Sequence, residues 1–94
     1  MAEITGQVVS VSDSGDLVTD IRVGQLEDVP RDNSVSVKCE GHVTAGIFPT
    51  EHNQPEMTFV AFEGQSGFVE LSLVGDNASH YLGIKSGSKI SLSW

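Results

Sequence analysis

Apolar and polar residues alternate along most of this chain. In Phe68-Val69-Glu70-Leu71-Ser72-Leu73-Val74, Val69, Leu71 and Leu73 fall on one side and Phe68, Glu70 and Ser72 on the other, the period-two pattern of a half-buried strand. Lys89 to Trp94 repeats it with Ile90, Leu92 and Trp94, and the stretch after Asp16 repeats it with Leu17, Thr19, Ile21 and Val23. Ile4 to Val11 carries valines at 8, 9 and 11 and predicts a first strand, with Gly6 predicting a bend or bulge. Val35 to Glu40 and His42 to Phe48 predict two more, parted at Gly41. Met57 to Phe62 is apolar on both faces except for Thr58, which predicts a strand covered on both sides, by an interface or by a packed helix.

The breaks in the pattern are as informative as the runs. Ser12-Asp13-Ser14-Gly15-Asp16 stacks five turn formers between two apolar runs and predicts a hairpin in which Gly15 can take a positive φ. Gly24 to Ser34, polar and holding Pro30, predicts a surface loop, as does Pro49 to Pro55. Between Asp76 and Gly83 lies the one helical stretch: Asp76 or Asn77 can cap it, Gly83 can end it, and Ala78, Tyr81 and Leu82 share an inner face. About seven strands and one short helix near the C-terminus predict an all-β fold, a small antiparallel β-barrel. Ninety-four residues bury only a modest core, so a single domain over 1–94 is expected.

Charge narrows the function classes. Thirteen acidic against five basic residues give a formal charge of −8, which repels polyanions. Arg22, Arg31, Lys38, Lys85 and Lys89 are scattered rather than gathered into the cationic groove that single-strand binding needs, so nucleic acid is not an expected partner. No apolar run approaches the roughly 20 residues of a membrane helix, and the N-terminus lacks a basic, apolar export signal. The expectation is a cytoplasmic protein without a membrane partner. Cys39, the sole cysteine, faces inward on its strand and predicts a buried thiol.

Pattern alone yields no chemistry. His42, His52 and His80 stand far from one another and from Cys39, without the close spacing of zinc ligands. Asp13, Asp16 and Asp20 lack the ligand spacing and bidentate glutamate of a calcium loop. Gly64-Gln65-Ser66-Gly67 misplaces one glycine of a nucleophile elbow and reads as a hairpin turn. No catalytic residue, metal site or cofactor is expected.

Two separated motifs nevertheless resemble a known family. Ser14-Gly15-Asp16-Leu17-Val18-Thr19-Asp20-Ile21 is similar to the signature that opens the C-terminal domain of the S-adenosylmethionine hydroxide adenosyltransferases, relatives of the fluorinating and chlorinating enzymes. Gln65-Ser66-Gly67-Phe68-Val69-Glu70-Leu71-Ser72-Leu73 resembles a second motif of that domain, and Asn77-Ala78-Ser79, Leu82-Gly83-Ile84 and Gly87 follow in the family's order. The resemblance spans Ile4 to Leu92 and implies an antiparallel barrel that is normally the second domain of a trimeric enzyme. In that family the larger N-terminal domain acts at the ribose, and the barrel of a neighbouring subunit contacts adenine and the methionine moiety. This chain is then a free-standing homologue or an excised piece.

Carried over residue by residue, the resemblance implies a ligand surface made of Ser12, Asp13, Asp16, Gln65, Ser66 and Gly67. Asp16 stands where an asparagine contacts the adenine edge, and a carboxylate offers only acceptors there. Ser12 or Asp13 takes the place of an aspartate that holds the substrate's amino group. Gln65 replaces a carboxylate-binding serine, leaving Ser66 and backbone amides. Ser14 replaces an aromatic residue. The expected function is a non-catalytic stand-alone module for self-association and small-ligand or protein binding, with a degenerate adenosine or S-adenosylmethionine surface and a trimer as the favoured oligomer. The alternative is the non-catalytic subunit of a split enzyme, completed by a separately encoded catalytic-domain chain.

Overall fold

In the computed structural model, which describes residues 2–49, 51 and 53–94, the alternating segments become seven antiparallel strands. These are β1 (Glu3–Val11), β2 (Leu17–Arg22), β3 (Ser36–Cys39), β4 (His42–Ala45), β5 (Phe59–Glu63), β6 (Phe68–Leu73) and β7 (Lys89–Ser93). They pair in the order β4-β3-β7-β1-β2-β6-β5. The two outer strands then approach each other: Thr44 Oγ1 donates to the Phe59 carbonyl at 2.8 Å. Just past β4, Phe48 donates its N–H to Ala61 and accepts from the Glu63 N–H, at 2.9 and 2.8 Å. The result is a nearly closed barrel with one five-residue helix, α1 (Ala78–Leu82), and a four-residue 3-10 helix, Val23–Leu26.

The core follows the period-two reading. Leu17, Ile21, Val37, Cys39, Val69, Leu71, Ile90 and Leu92 are all buried, and Trp94 packs against them. The predicted inward position of Thr19 is also correct, and its hydroxyl is not wasted. Thr19 Oγ1 donates to the Val69 carbonyl at 2.6 Å and accepts from the Ile21 N–H, so a polar side chain sits in the core with its bonding satisfied. Burial pushes the Cys39 thiol up to about 11, with the Glu40 charge adding to the effect, so the thiol is inert rather than reactive.

β1 serves two neighbours in succession. Its first part, Glu3 to Gln7, pairs with β7, and Val8 to Val11 pairs with β2. The register shift falls between Val8 and Ser10. The irregularity therefore lies beyond Gly6, where the sequence predicted it. Gly6 is needed for a different reason: a Cβ there would overlap the Asp20 carboxylate and come within 2.7 Å of the Ile21 side chain. Asp20 uses that closeness to accept the Gln7 N–H at 2.9 Å, in place of a ladder bond.

Three further expectations need correction. Gly24 to Ser34 is not simply a surface loop, because Leu26 and Val29 drop from it into the core. Arg31 fixes its far end by donating to the Leu26 and Val29 carbonyls and pairing with Glu63 at 2.9 Å. Tyr81 does not share the inner face of α1: it is 61% exposed, while Ala78 and the following Ile84 are buried. A helix of one turn can bury only one edge, and Gly83, at φ 70°, ends it and leads the chain on to Ile84. Finally, the fourth strand ends at Ala45, short of Phe48, since Gly46 takes φ 86° and turns the chain. β5 is covered on both faces as expected, with Val60 and Phe62 at 1% and 8% exposure within the single chain. His52 lies outside the described residues.

Candidate functional site

The Ser12 to Asp16 hairpin is held from inside and from behind. Ser12 donates its N–H to the Asp16 carbonyl at 2.9 Å, and its Oγ accepts the Asp16 N–H at 3.1 Å and lies 3.0 Å from Ser14 Oγ. Gly15, at φ 90°, is buried beneath the start of α1. There the Ser79 N–H donates to the Gly15 carbonyl at 3.1 Å. Asn77, whose Oδ1 caps α1 by accepting the His80 N–H at 2.9 Å, lies so close that a Cβ on Gly15 would overlap its side chain. A short polar hairpin, which alone would be mobile, is thus bolted to the helix.

The second predicted turn is built differently. Gly67, at φ 88°, closes it with an N–H to the Gly64 carbonyl at 3.0 Å. Ser66 donates its hydroxyl to Glu70 at 2.8 Å, and the Glu70 side chain lies over Gly64. The Gly67 carbonyl accepts the Val23 N–H at 2.9 Å, which ties the turn to the end of β2. Gln65, Ser66 and Gly67 are exposed.

That tie fixes the relation between the two turns. β2 begins at the hairpin, with Leu17 opposite Leu71, and ends at the second turn, with Arg22 opposite Phe68. Within one chain, Ser12, Asp13 and Asp16 therefore lie at one end of the barrel and Gln65, Ser66 and Gly67 at the other, about 17 Å of strand apart. The structure does not bring the six residues together.

What it does bring together with Asp16 was not identified from sequence as a site. Ser14 and Asp16 line a recess of about 350 Å³ with Ser72, Leu73, Gly75 and Asp76. Asp76 Oδ1 accepts the Asn77 N–H at 2.7 Å. The Asp16 carboxylate receives no hydrogen bond from any described residue. The alternation of β6 placed Ser72 on its polar face, but only the pairing of β2 with β6 could show that this face meets the hairpin. A larger recess, about 650 Å³, lies over Gly6 and Ile90 on the outside of β1 and β7, where Lys38 and Lys89 share the rim with Asp20 and Glu40. It contains none of the predicted residues, and its charges offset one another. Among the described residues, no group of three histidine, cysteine or acidic side chains is placed to hold a metal ion. None of the described helices is long and apolar enough to cross a membrane. His42, half-buried, donates Nε2–H to the Leu82 carbonyl at 3.2 Å and stacks edge-on against Phe59, a structural duty.

Fold and hairpin geometry define a small all-β barrel domain with one polar recess at its helix-braced end. Residues 6–91 match the family of the SAM hydroxide adenosyltransferase C-terminal domain, and the chain belongs to that family. It superimposes on an uncharacterized conserved protein from Thermotoga maritima with a TM-score of 0.81 and 19% identity, covering 98% of this chain and 36% of that one. A conserved hypothetical protein from Thermus thermophilus gives a TM-score of 0.75 at 22% identity, over 95% of this chain and 34% of the other. At such identities the likeness is one of fold, and the chain spans about a third of each of these proteins. No curated protein matches the chain.

Proposed function

We propose that this barrel is a non-catalytic module that contributes one wall of a nucleoside-binding site and associates with copies of itself. The observation that carries the reading is the recess at the hairpin end. Asp16, which the family signature puts at the base-contacting position, lines a cavity with a carboxylate that receives no bond from any described residue, on a hairpin that α1 braces. Convergent polar groups that fix orientation are one element of a small-ligand site, and the apolar remainder of the wall would come from a neighbouring surface. Catalysis at the ribose would need a second, positioned group at the reacting carbon. In the family resembled, that group comes from another domain, so the part taken by the barrel is binding.

Titrating isotope-labelled protein with adenosine and S-adenosylmethionine tests the reading. Amide shifts are expected at Gly15, Asp16, Ser72 and Asp76, with no release of adenosine or methionine from S-adenosylmethionine. Shifts confined to Gln65, Ser66 and Gly67 would move the site to the opposite end, and none at millimolar ligand would leave a scaffold.

The family resemblance also supports a trimer. Since Val60 and Phe62 are already covered within the chain, the contact between copies falls to exposed apolar side chains such as Val9, Val43, Met57 and Tyr81. Sedimentation equilibrium in moderate salt, which screens the charge of −8 on each chain, is expected to return the mass of three chains. A monomer at high protein and salt concentration would rule out the association.

A further inference from the structure

We infer that copies of this chain meet through the outer face of β3, β7 and β1, with the Lys38 margin of one copy seated against the Asp20 margin of the next, an inference that rests on the self-association reading above. The first observation is where the charge lies. The recess on that face, about 650 Å³, is rimmed by Lys38, Lys89, Asp20 and Glu40. Two of the five basic residues thus stand against two of the thirteen acidic ones, so the recess is neutral and the whole charge of −8 belongs to the rest of the chain. A second copy, equally acidic, is repelled by the rest of the surface and not by this part of it.

The second observation is where apolar side chains are exposed. Met57 follows Glu56, whose side chain lies against Gly75 beside Asp76, and Tyr81 stands on the helix that braces the hairpin of Asp13 and Asp16. Val43 and Val9 instead flank the neutral recess. The register sets Val43 opposite Lys38, Lys38 opposite Ser91 and Ser91 opposite Thr5, one row across β4, β3, β7 and β1. Val9 is the next outward position of β1 after Thr5 and Gln7, and Asp20 reaches Gln7 from β2. One margin therefore offers Val43, 59% exposed, with an ammonium, and the other offers Val9, 46% exposed, with a carboxylate. Lys38 is paired with no described residue, and Asp20 commits only Oδ1, to the Gln7 N–H. Each margin complements the other and not itself, so the contact is head-to-tail, and contacts of that kind close into rings. Burial of the two valines supplies attraction, while the pairing of Lys38 with Asp20 of the next copy fixes the register.

Sedimentation equilibrium in moderate salt, with the amide spectrum of each variant as the check on its fold, tests the contact. Lys38→Glu makes the chain more acidic and Asp20→Lys makes it less so, yet each should raise the dissociation constant at least about tenfold, because each sets like charges against each other across the contact. Their combination swaps the pair at an unchanged net charge and should return to within about threefold of the wild type. Asp20→Asn keeps an oxygen for the Gln7 N–H, so it reads the same contact even where the lysine variant does not fold. It too should weaken association, although it lowers the repulsion between copies. Asp20→Asn and Lys38→Glu associating as tightly as the wild type, or a folded charge swap that restores nothing, would overturn this inference alone. A wild type that stays monomeric would overturn it together with the self-association reading.

Discussion

Truncating Leu71 to alanine is expected to lower the free energy of unfolding by about 2–5 kcal/mol. Leu71 is fully buried at the middle of β6, opposite Leu17 on one side and Ala61 on the other. Its loss opens a cavity between three strands that are fixed by their ladders and cannot collapse to fill it. The neighbouring Glu70→Ala removes a half-buried side chain on the opposite face whose recorded bond is the Ser66 hydroxyl. Its cost should be about 1 kcal/mol or less. Denaturant titration of the two variants decides the matter, and equal losses would mean that the faces of β6 are assigned the wrong way round.

Gly15→Ala should be nearly as damaging, about 2–4 kcal/mol, the sum of two separate costs. A side chain at φ 90° is strained wherever it stands, at about 1–3 kcal/mol. Here its Cβ would also overlap Asn77, and displacing Asn77 gives up the cap of α1, typically about 1 kcal/mol. Gly41→Ala separates the two contributions. Gly41 has φ 84° in the exposed β3–β4 turn, with no described atom within 4 Å of the added Cβ, so it bears the strain without the collision. If thermal or chemical unfolding shows the two variants equally destabilised, Asn77 does not clamp the hairpin and the rigidity of the recess is lost as an argument.

Much of the barrel could be read from residues because its strands have one wet face. The alternation in Phe68 to Leu73 and Lys89 to Ser93 is a direct record of inside and outside, and Asn77 and Gly83 mark the ends of α1 by the backbone shapes they allow. The readings that failed concern side chains whose burial is set by distant segments. Nothing local to Leu26 or Val29 says that Arg31 will hold their loop against β5 through Glu63. Tyr81 looked inward by helical spacing, but a single turn has too few residues for spacing to choose a face. Gly6 was identified as special and given the wrong role, since a close approach and a bulge leave the same mark in sequence.

The site was half legible for a related reason. Motifs that share a family signature are ordered along the chain, and order says nothing about which end of a strand each occupies. The register of β2 against β6 is what separates Gln65 to Gly67 from Asp16 and unites Asp16 with Ser72 and Asp76. Asp16 drew notice in the sequence because its chemistry differs from that of the residue the resemblance implies there, and the structure places it on the rim of the recess.

The division of β1 between two partners has a consequence for how the molecule comes apart. One group of strands, β4, β3 and β7, is laddered to the first part of β1, and another, β2, β6 and β5, to its remainder. Between the groups lie the core that both line, the closure at Thr44 and Phe48, and the edge-on contact of His42 with Phe59. Neither group can detach without stripping its share of β1, and a strand cannot be half in solution without exposing the amides of both halves at the junction. The shared strand, together with the core that both groups line, makes two sheets into one thermodynamic unit, and the shift between Val8 and Ser10 marks where β1 passes from one partner to the other.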